Sequence, residues 1–187
     1  AHWLLARMSA WHPASPGASE TVAAPGRGAT LRPATWQQDA ESLKFVRRRV
    51  FVEEQSVPEA EEWDAADPTA LHVLAVVDGR DPVGTGRLES CGKIGRVAVL
   101  REWRGAGVGA GIVRHLVNQA TELGFESVYL HAQTAAAGFY RRLGFRAEGP
   151  VFDEVGIPHV RMRLGIERRD GNETRRHGHE EHPLDAR

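Results

Sequence analysis

The sequence predicts an α/β (α+β) fold, a mixed and mostly antiparallel central sheet flanked by helices. Two apolar pairs of segments carry strand patterning and are joined by turn residues: "LHVLAVVD" with "VGTGRLES", and "FRAEGPVFDE" with "HVRMRL". Two longer segments carry helical spacing instead. Strand–helix units do not repeat along the chain, which argues against a doubly wound parallel sheet.

The elements follow in order. "ATLRPA" reads as a short first strand. Thr35, with Gln38 three residues on, resembles a capping box and opens a helix with Leu43, Val46, Val50 and Phe51 on one face. "VEEQSVPEAEEWDAADPTA" is an acidic, proline-marked loop. The first hairpin turns at "GRDP", and "IGRVAVL" supplies a third strand. Val108, Ile112, Leu116, Val117, Ala120 and Leu123 line one face of a second helix, closed by Gly124. "SVYLHA" is a strand with a buried pattern, and "AAAGFYRRLG" a short helix closed by Gly144. The last hairpin turns around "VGIP".

The 187 residues suit one domain with tails. Residues 9–28 are rich in Pro, Gly, Ala and Ser, so 1–28 is expected to be a flexible leader. The domain spans 29–167. Residues 168–187 form a charged tail expected to be disordered; its His177, His179 and His182 lack a packed surround to fix a metal site. The first residues lack a long apolar run, so no signal peptide is read, and Met8 is a candidate natural start. A formal charge of -1 offers no basic field for nucleic acid, and no segment is long and apolar enough to span a membrane. The single cysteine, Cys91, rules out an internal disulfide and fits a cytoplasmic protein; with no partner in view it is incidental.

The sharpest local feature is "RGAGVGAG", between a strand and a helix. A Walker A loop needs Lys and Ser/Thr after its last glycine, and Gly109 is followed by Ala110 and Gly111. A dinucleotide fingerprint forced onto Gly105, Gly107 and Ala110 needs an acidic residue ending the next strand, which instead ends at His131 and Ala132. That leaves Arg-x-x-Gly-x-Gly at a helix start. Backbone N–H groups and the helix dipole converge there, and glycines let a pyrophosphate approach the main chain.

These residues resemble the GNAT superfamily of acyl-CoA-dependent N-acyltransferases. The matching stretches are "RVAVLREWRGAGVGAGIV" and "SVYLHAQTAAAGFYRRLGF"; "VFVEEQSVP", "IGRVAV", "LHAQ", "FYRRLGF" and "GIPHVRM" are similar to its ElaA-like branch. The resemblance covers about 29–165 and implies a sheet splayed at the acyl-CoA site. It places the pantetheine arm along Val97, Ala98 and Val99, a free N–H near Val97 or Val99 as oxyanion donor, and the pyrophosphate on the amides of Arg104, Gly105, Ala106, Gly107, Val108, Gly109 and Ala110. Tyr140 falls where the family has its general acid; by itself it is also a packing aromatic beside Phe139 and Leu143.

The base is open among Glu53, Glu54, His72, His131, Glu154 and His159. His131, at the mouth of the splay, is the most suggestive. Arg101, Arg104 and Arg142 are candidates for CoA phosphates. "EAEEWD" is a candidate to attract a cationic amine, and Trp63 within it to act as lid or core anchor. The expected activity is acetyl transfer from acetyl-CoA to a primary amine of a small molecule or peptide, without a metal. The competing reading is an acyl-CoA-binding regulatory or interaction module without turnover; a nucleotide-dependent oxidoreductase is a weaker third. Dimers are common in this family, which leaves a homodimer open.

Overall fold

The structure, a computed structural model, describes residues 20–24 and 27–167. An added strand precedes the expected first one. Strand β1 (Glu20–Ala24) pairs antiparallel with β2 (Arg27–Ala34), in register from Glu20↔Leu31 to Ala24↔Arg27. The stretch expected as a leader therefore contributes an edge strand. Its Ala- and Pro-rich composition carries little strand propensity, but main-chain pairing to an existing edge does not depend on side chains. Residues 1–19 and 168–187, with the three tail histidines, lie outside the described residues.

Helix α1 (Trp36–Arg47) starts as a capped helix: the Thr35 hydroxyl accepts the Gln38 N–H at 3.3 Å. The reciprocal bond comes from Asp39 rather than Gln38, its carboxylate accepting the Thr35 N–H at 3.0 Å. The helix runs on through a π-helical segment (Arg48–Glu54), and a short α2 (Glu59–Glu62) follows. The expected acidic loop is thus partly helical. Then come β3 (Leu71–Val77), β4 (Asp81–Leu88), β5 (Ile94–Val99), α3 (Val108–Glu122) and β6 (Ser127–Gln133). Helix α4 (Ala137–Arg142) and strands β7 (Arg146–Glu154) and β8 (Ile157–Gly165) complete the domain. Among the described residues no helix is long and apolar enough to cross a membrane.

Two antiparallel sheets result, in orders β1-β2-β3-β4-β5 and β6-β8-β7. Among the described residues a parallel bridge, Lys93↔Tyr129, joins them, and β5 and β6 share no ladder beyond it. The larger sheet is covered on both faces. Val73 and Ala75 pack with Ile112 and Leu116 under α3, whereas Leu74 and Val76 pack with Leu43 under α1. This is the two-residue period of a strand buried on both sides. A Cβ at Gly86 would stand 2.7 Å from Ile112 Cγ2, so glycine lets α3 sit close on the sheet.

The acidic segment is folded against arginines. Arg47, 1% exposed, donates to Glu62 at 2.6 Å and to Asp67 at 2.6 Å, with its guanidinium on the Trp63 ring 4.9 Å away. Arg87 donates to the same Asp67 and, through two nitrogens, to Asp64 at 2.8 and 2.6 Å. Burial pushes the Glu62 carboxyl up. Burial raises Asp64 too, but the Arg87 bonds outweigh it and bring Asp64 down to about 2. A depressed folded value stabilises the fold above the ordinary value of 3.8, and that contribution is lost as pH falls toward about 2. Acid unfolding followed by circular dichroism should therefore show stability falling through this window. In Asp64→Asn the slope there should flatten, and an unchanged slope would remove Asp64 from the network's acid response.

Candidate active site

Where β5 and β6 part, a cleft of about 450 Å³ opens. Its walls bring together Val97, Ala98, Val99, Arg104, His131, Tyr140, Glu154 and His159. That volume lies in the range of small-molecule sites.

The β5 wall has a free edge. Leu100 donates its N–H to Val83 of β4 at 2.9 Å. Main-chain groups alternate along a strand, so those of Val99 face away from β4, into the splay. The Val99 carbonyl there accepts Arg104 Nε at 2.9 Å. Ala98 is buried against Val46 and Val50, beneath the α1–π segment. At the bulge where the β4–β5 register shifts, Arg96 takes φ 52°. Its side chain holds the α2 segment: Nε donates to Glu62 O at 3.2 Å, and Nη2 to Glu61 O at 3.3 Å and Asp64 at 3.1 Å.

The glycine turn caps α3. Gly105 and Gly107 have φ of 75° and 84°, where a Cβ is costly. Among the described residues, no main-chain acceptor takes the N–H groups of 105–110; Gly111 is the first to bond, to Gly107 O at 2.9 Å. Six consecutive open donors at a helix N-terminus suit a pyrophosphate. The Arg104 amide is not among them, since it bonds Arg101 O at 3.2 Å. Its guanidinium is also engaged, bidentate on Glu54 at 2.6 and 2.8 Å. The expected cradle therefore starts at Gly105, and Arg104 straps the π segment to the turn. Arg101 stays largely solvent-exposed.

Tyr140 is half-buried, packed edge-on to Phe139 and Phe145 with ring centroids 4.9 and 6.0 Å away. Burial alone pushes its phenol up to about 12. The hydroxyl is therefore protonated at any working pH. Phe139 also lies 3.6 Å from where a Gly109 Cβ would be, as does Val99, so α4, β5 and the start of α3 meet at one point.

The base candidates separate. His72 is buried outside the cleft, bonded to Asp67 O at 2.8 Å and pushed down by burial. Glu53 is exposed and paired with Arg49 at 2.9 Å, and Glu54 is held by Arg104. His131, Glu154 and His159 line the cleft. His131 Nδ1 lies 3.2 Å from Glu154, while His159 bonds Ile157 O and stacks on Phe152.

Local reading missed the neutralisation of the acidic segment. Glu62, Asp64 and Asp67 are consumed by Arg47, Arg87 and Arg96, whereas Glu61 of the same segment is exposed and lines the cleft. Trp63 stacks on the Arg47 guanidinium and is not among the residues that line the cleft. Gln133 donates to Gln55 at 2.7 Å, linking β6 to the end of the π segment across the cleft. Both glutamines stand in quoted motifs, but only the fold pairs them. Exposed Cys91 sits 3.6 Å from the Tyr129 hydroxyl.

The comparisons with known proteins agree with this geometry. The model of the acetyltransferase (GNAT) domain matches residues 33–166. The chain is 41% identical to the Bacillus subtilis protein YyaT over 140 residues, 72% of this chain and 94% of YyaT. An acyl-CoA N-acyltransferase from Pseudomonas aeruginosa superimposes with a TM-score of 0.64 at 30% identity, over 72% of this chain and 98% of that one. Escherichia coli ElaA does so with a TM-score of 0.65 at 26% identity, over 72% and 98%. The fold and its split sheet are those of an acyltransferase, and the chain belongs to the GNAT acetyltransferase family. It is an acyl-CoA N-acyltransferase, an enzyme that uses an amine acceptor.

Proposed function

We propose that the chain transfers an acetyl group from acetyl-CoA to a primary amine by direct attack in a ternary complex. The observation that carries this is proximity: the free edge of β5 and Tyr140 line one cleft, and the turn of open amides at 105–110 follows directly on Arg104 of its wall, with Gly109 packed near Val99. Val97 to Val99 hold the pantetheine arm, and Gly105 to Ala110 the pyrophosphate. His131 takes a proton from the substrate ammonium. The neutral amine attacks the thioester carbon, and a main-chain N–H of Val97 or Val99 receives the oxyanion. As the C–S bond breaks, Tyr140 donates its proton to sulfur. The second nitrogen proton returns to the phenolate through water. One proton is released overall, through His131. The exposed free thiol of Cys91 fits a reducing, cytoplasmic setting.

The test combines acetyl-CoA calorimetry with turnover on a panel of primary amines: a lysine peptide, a diamine and an aminoglycoside. Tyr140→Phe should keep acetyl-CoA affinity and lower kcat at least about tenfold, the low end of acid–base contributions. Unchanged kcat would remove Tyr140 as the acid. Tight acetyl-CoA binding with no turnover on any amine would favour a binding module.

A further inference from the structure

We infer that Glu154 is a positioning residue that fixes the tautomer and orientation of His131. This rests on the assignment of His131 as base. The His131 Nδ1 lies 3.2 Å from a Glu154 carboxylate oxygen. An ionised carboxylate only accepts hydrogen bonds, so Nδ1 carries the proton and Nε2 keeps its lone pair. Phe152 holds the ring edge-on, 4.9 Å between centroids at 77°. With Nδ1 bonded and the ring clamped, Nε2 is the nitrogen left to take a substrate proton.

The backbone spends strain to place this carboxylate. Glu154 ends β7, and the two-residue turn after it has positive φ at both Val155 (53°) and Gly156 (75°). Glycine suits that conformation; a β-branched valine does not. Strain of this kind clusters where geometry serves function. Val155 is also 47% exposed and lines the cleft. The turn delivers Glu154 past β8 to a residue of β6, a strand with which β7 does not pair.

Other charged or titratable groups near His131 are accounted for. Tyr129, on the same strand with its ring 6.2 Å away, is raised to about 12 by burial and Cys91, and is neutral. Arg161, opposite His131 on β8, stacks on Tyr129 and pairs with Glu148. His159 stacks on Phe152 and bonds Ile157 O. Lys93, bridged to Tyr129, and Glu61 line the cleft with His131. Among the described residues, the carboxylate within bonding reach of His131 is that of Glu154.

The experiment is kcat/KM against pH for the full chain, with acetyl-CoA and the fastest amine of the panel. It compares the parent with Glu154→Gln, Glu154→Asp and His131→Gln. With Nδ1 no longer held by a carboxylate, Glu154→Gln should alter the acidic limb of the profile and cut the plateau at least about tenfold. Glu154→Asp should restore part of both, and acetyl-CoA affinity should not change. Nitrogen NMR of the parent should find the neutral His131 proton on Nδ1, a readout independent of turnover. A proton on Nε2, or a parental pH profile in Glu154→Gln, overturns the proposal. Parental turnover in His131→Gln sinks the base assignment itself. A slow His131→Gln beside an unaffected Glu154→Gln sinks only the role of Glu154. Should Glu154→Gln lose the limb while His131→Gln keeps it, Glu154 is itself the base and the positioning role is wrong.

Discussion

Arg47→Ala is expected to destabilise the fold by about 3–5 kcal/mol, the scale for removing one partner of a buried ion pair. The reason is what the arginine leaves behind. Glu62 and Asp67, 2% and 1% exposed, would lose their bonds to it and keep the cost of burial. The main-chain carbonyl of Glu62 would also lose a donor. Stacking on Trp63 would go as well. Against a total stability of about 5–15 kcal/mol, such a loss is large. Urea unfolding measures it, and a midpoint shift equivalent to less than about 1 kcal/mol would mean that the network contributes little. Because Glu61 and Glu62 line the cleft, weakened clamping of α2 should also raise KM for the amine more than that for acetyl-CoA.

Gly107→Val is expected to reduce acetyl-CoA affinity at least about a hundredfold, some 2.7 kcal/mol or more. Gly107 caps α3 at φ 84°, ψ -8°. A residue with a Cβ pays about 1–2 kcal/mol there, and a β-branched one fits worst. The turn must therefore change its dihedrals, and the N–H groups of Val108, Gly109 and Ala110 would no longer converge on one anion. The fold should survive, because the strain is small beside total stability. Calorimetry with acetyl-CoA, alongside a thermal melt to confirm folding, tests this. Retained affinity in a folded variant would move the phosphate site elsewhere.

Both outcomes bear on what was readable from residues alone. The glycine turn was legible because its signal is local: positive φ demands glycine, and the helix after it has a period of its own. Strand patterning likewise predicts β3 to β8, and helical spacing with closing glycines predicts α3 and α4. The "EAEEWD" run misled because local reading sees charge and not its partners. Arg47, Arg87 and Arg96 reach it across 15 to 35 positions of sequence. Strand β1, Glu20–Ala24, was hidden because its five residues sit in a Pro-, Gly- and Ala-rich stretch and show no strand alternation long enough to read.

The candidate site divides in the same way. Tyr140, His131 and the glycines could be nominated from motifs, but that Tyr140 and His131 line one cleft could not. Nor could the sorting of the six base candidates: His72 is buried outside the cleft, Glu53 and Glu54 are paired with arginines, and His131, Glu154 and His159 line the cleft. Sequence by itself determined the order and type of most elements, the helix-start amides and the family. Only the tertiary structure decided which charges are spent on one another and which face the cleft. Backbone preferences act over a few residues, whereas ion pairs and hydrogen bonds form between groups that the folded chain alone brings within about 3 Å.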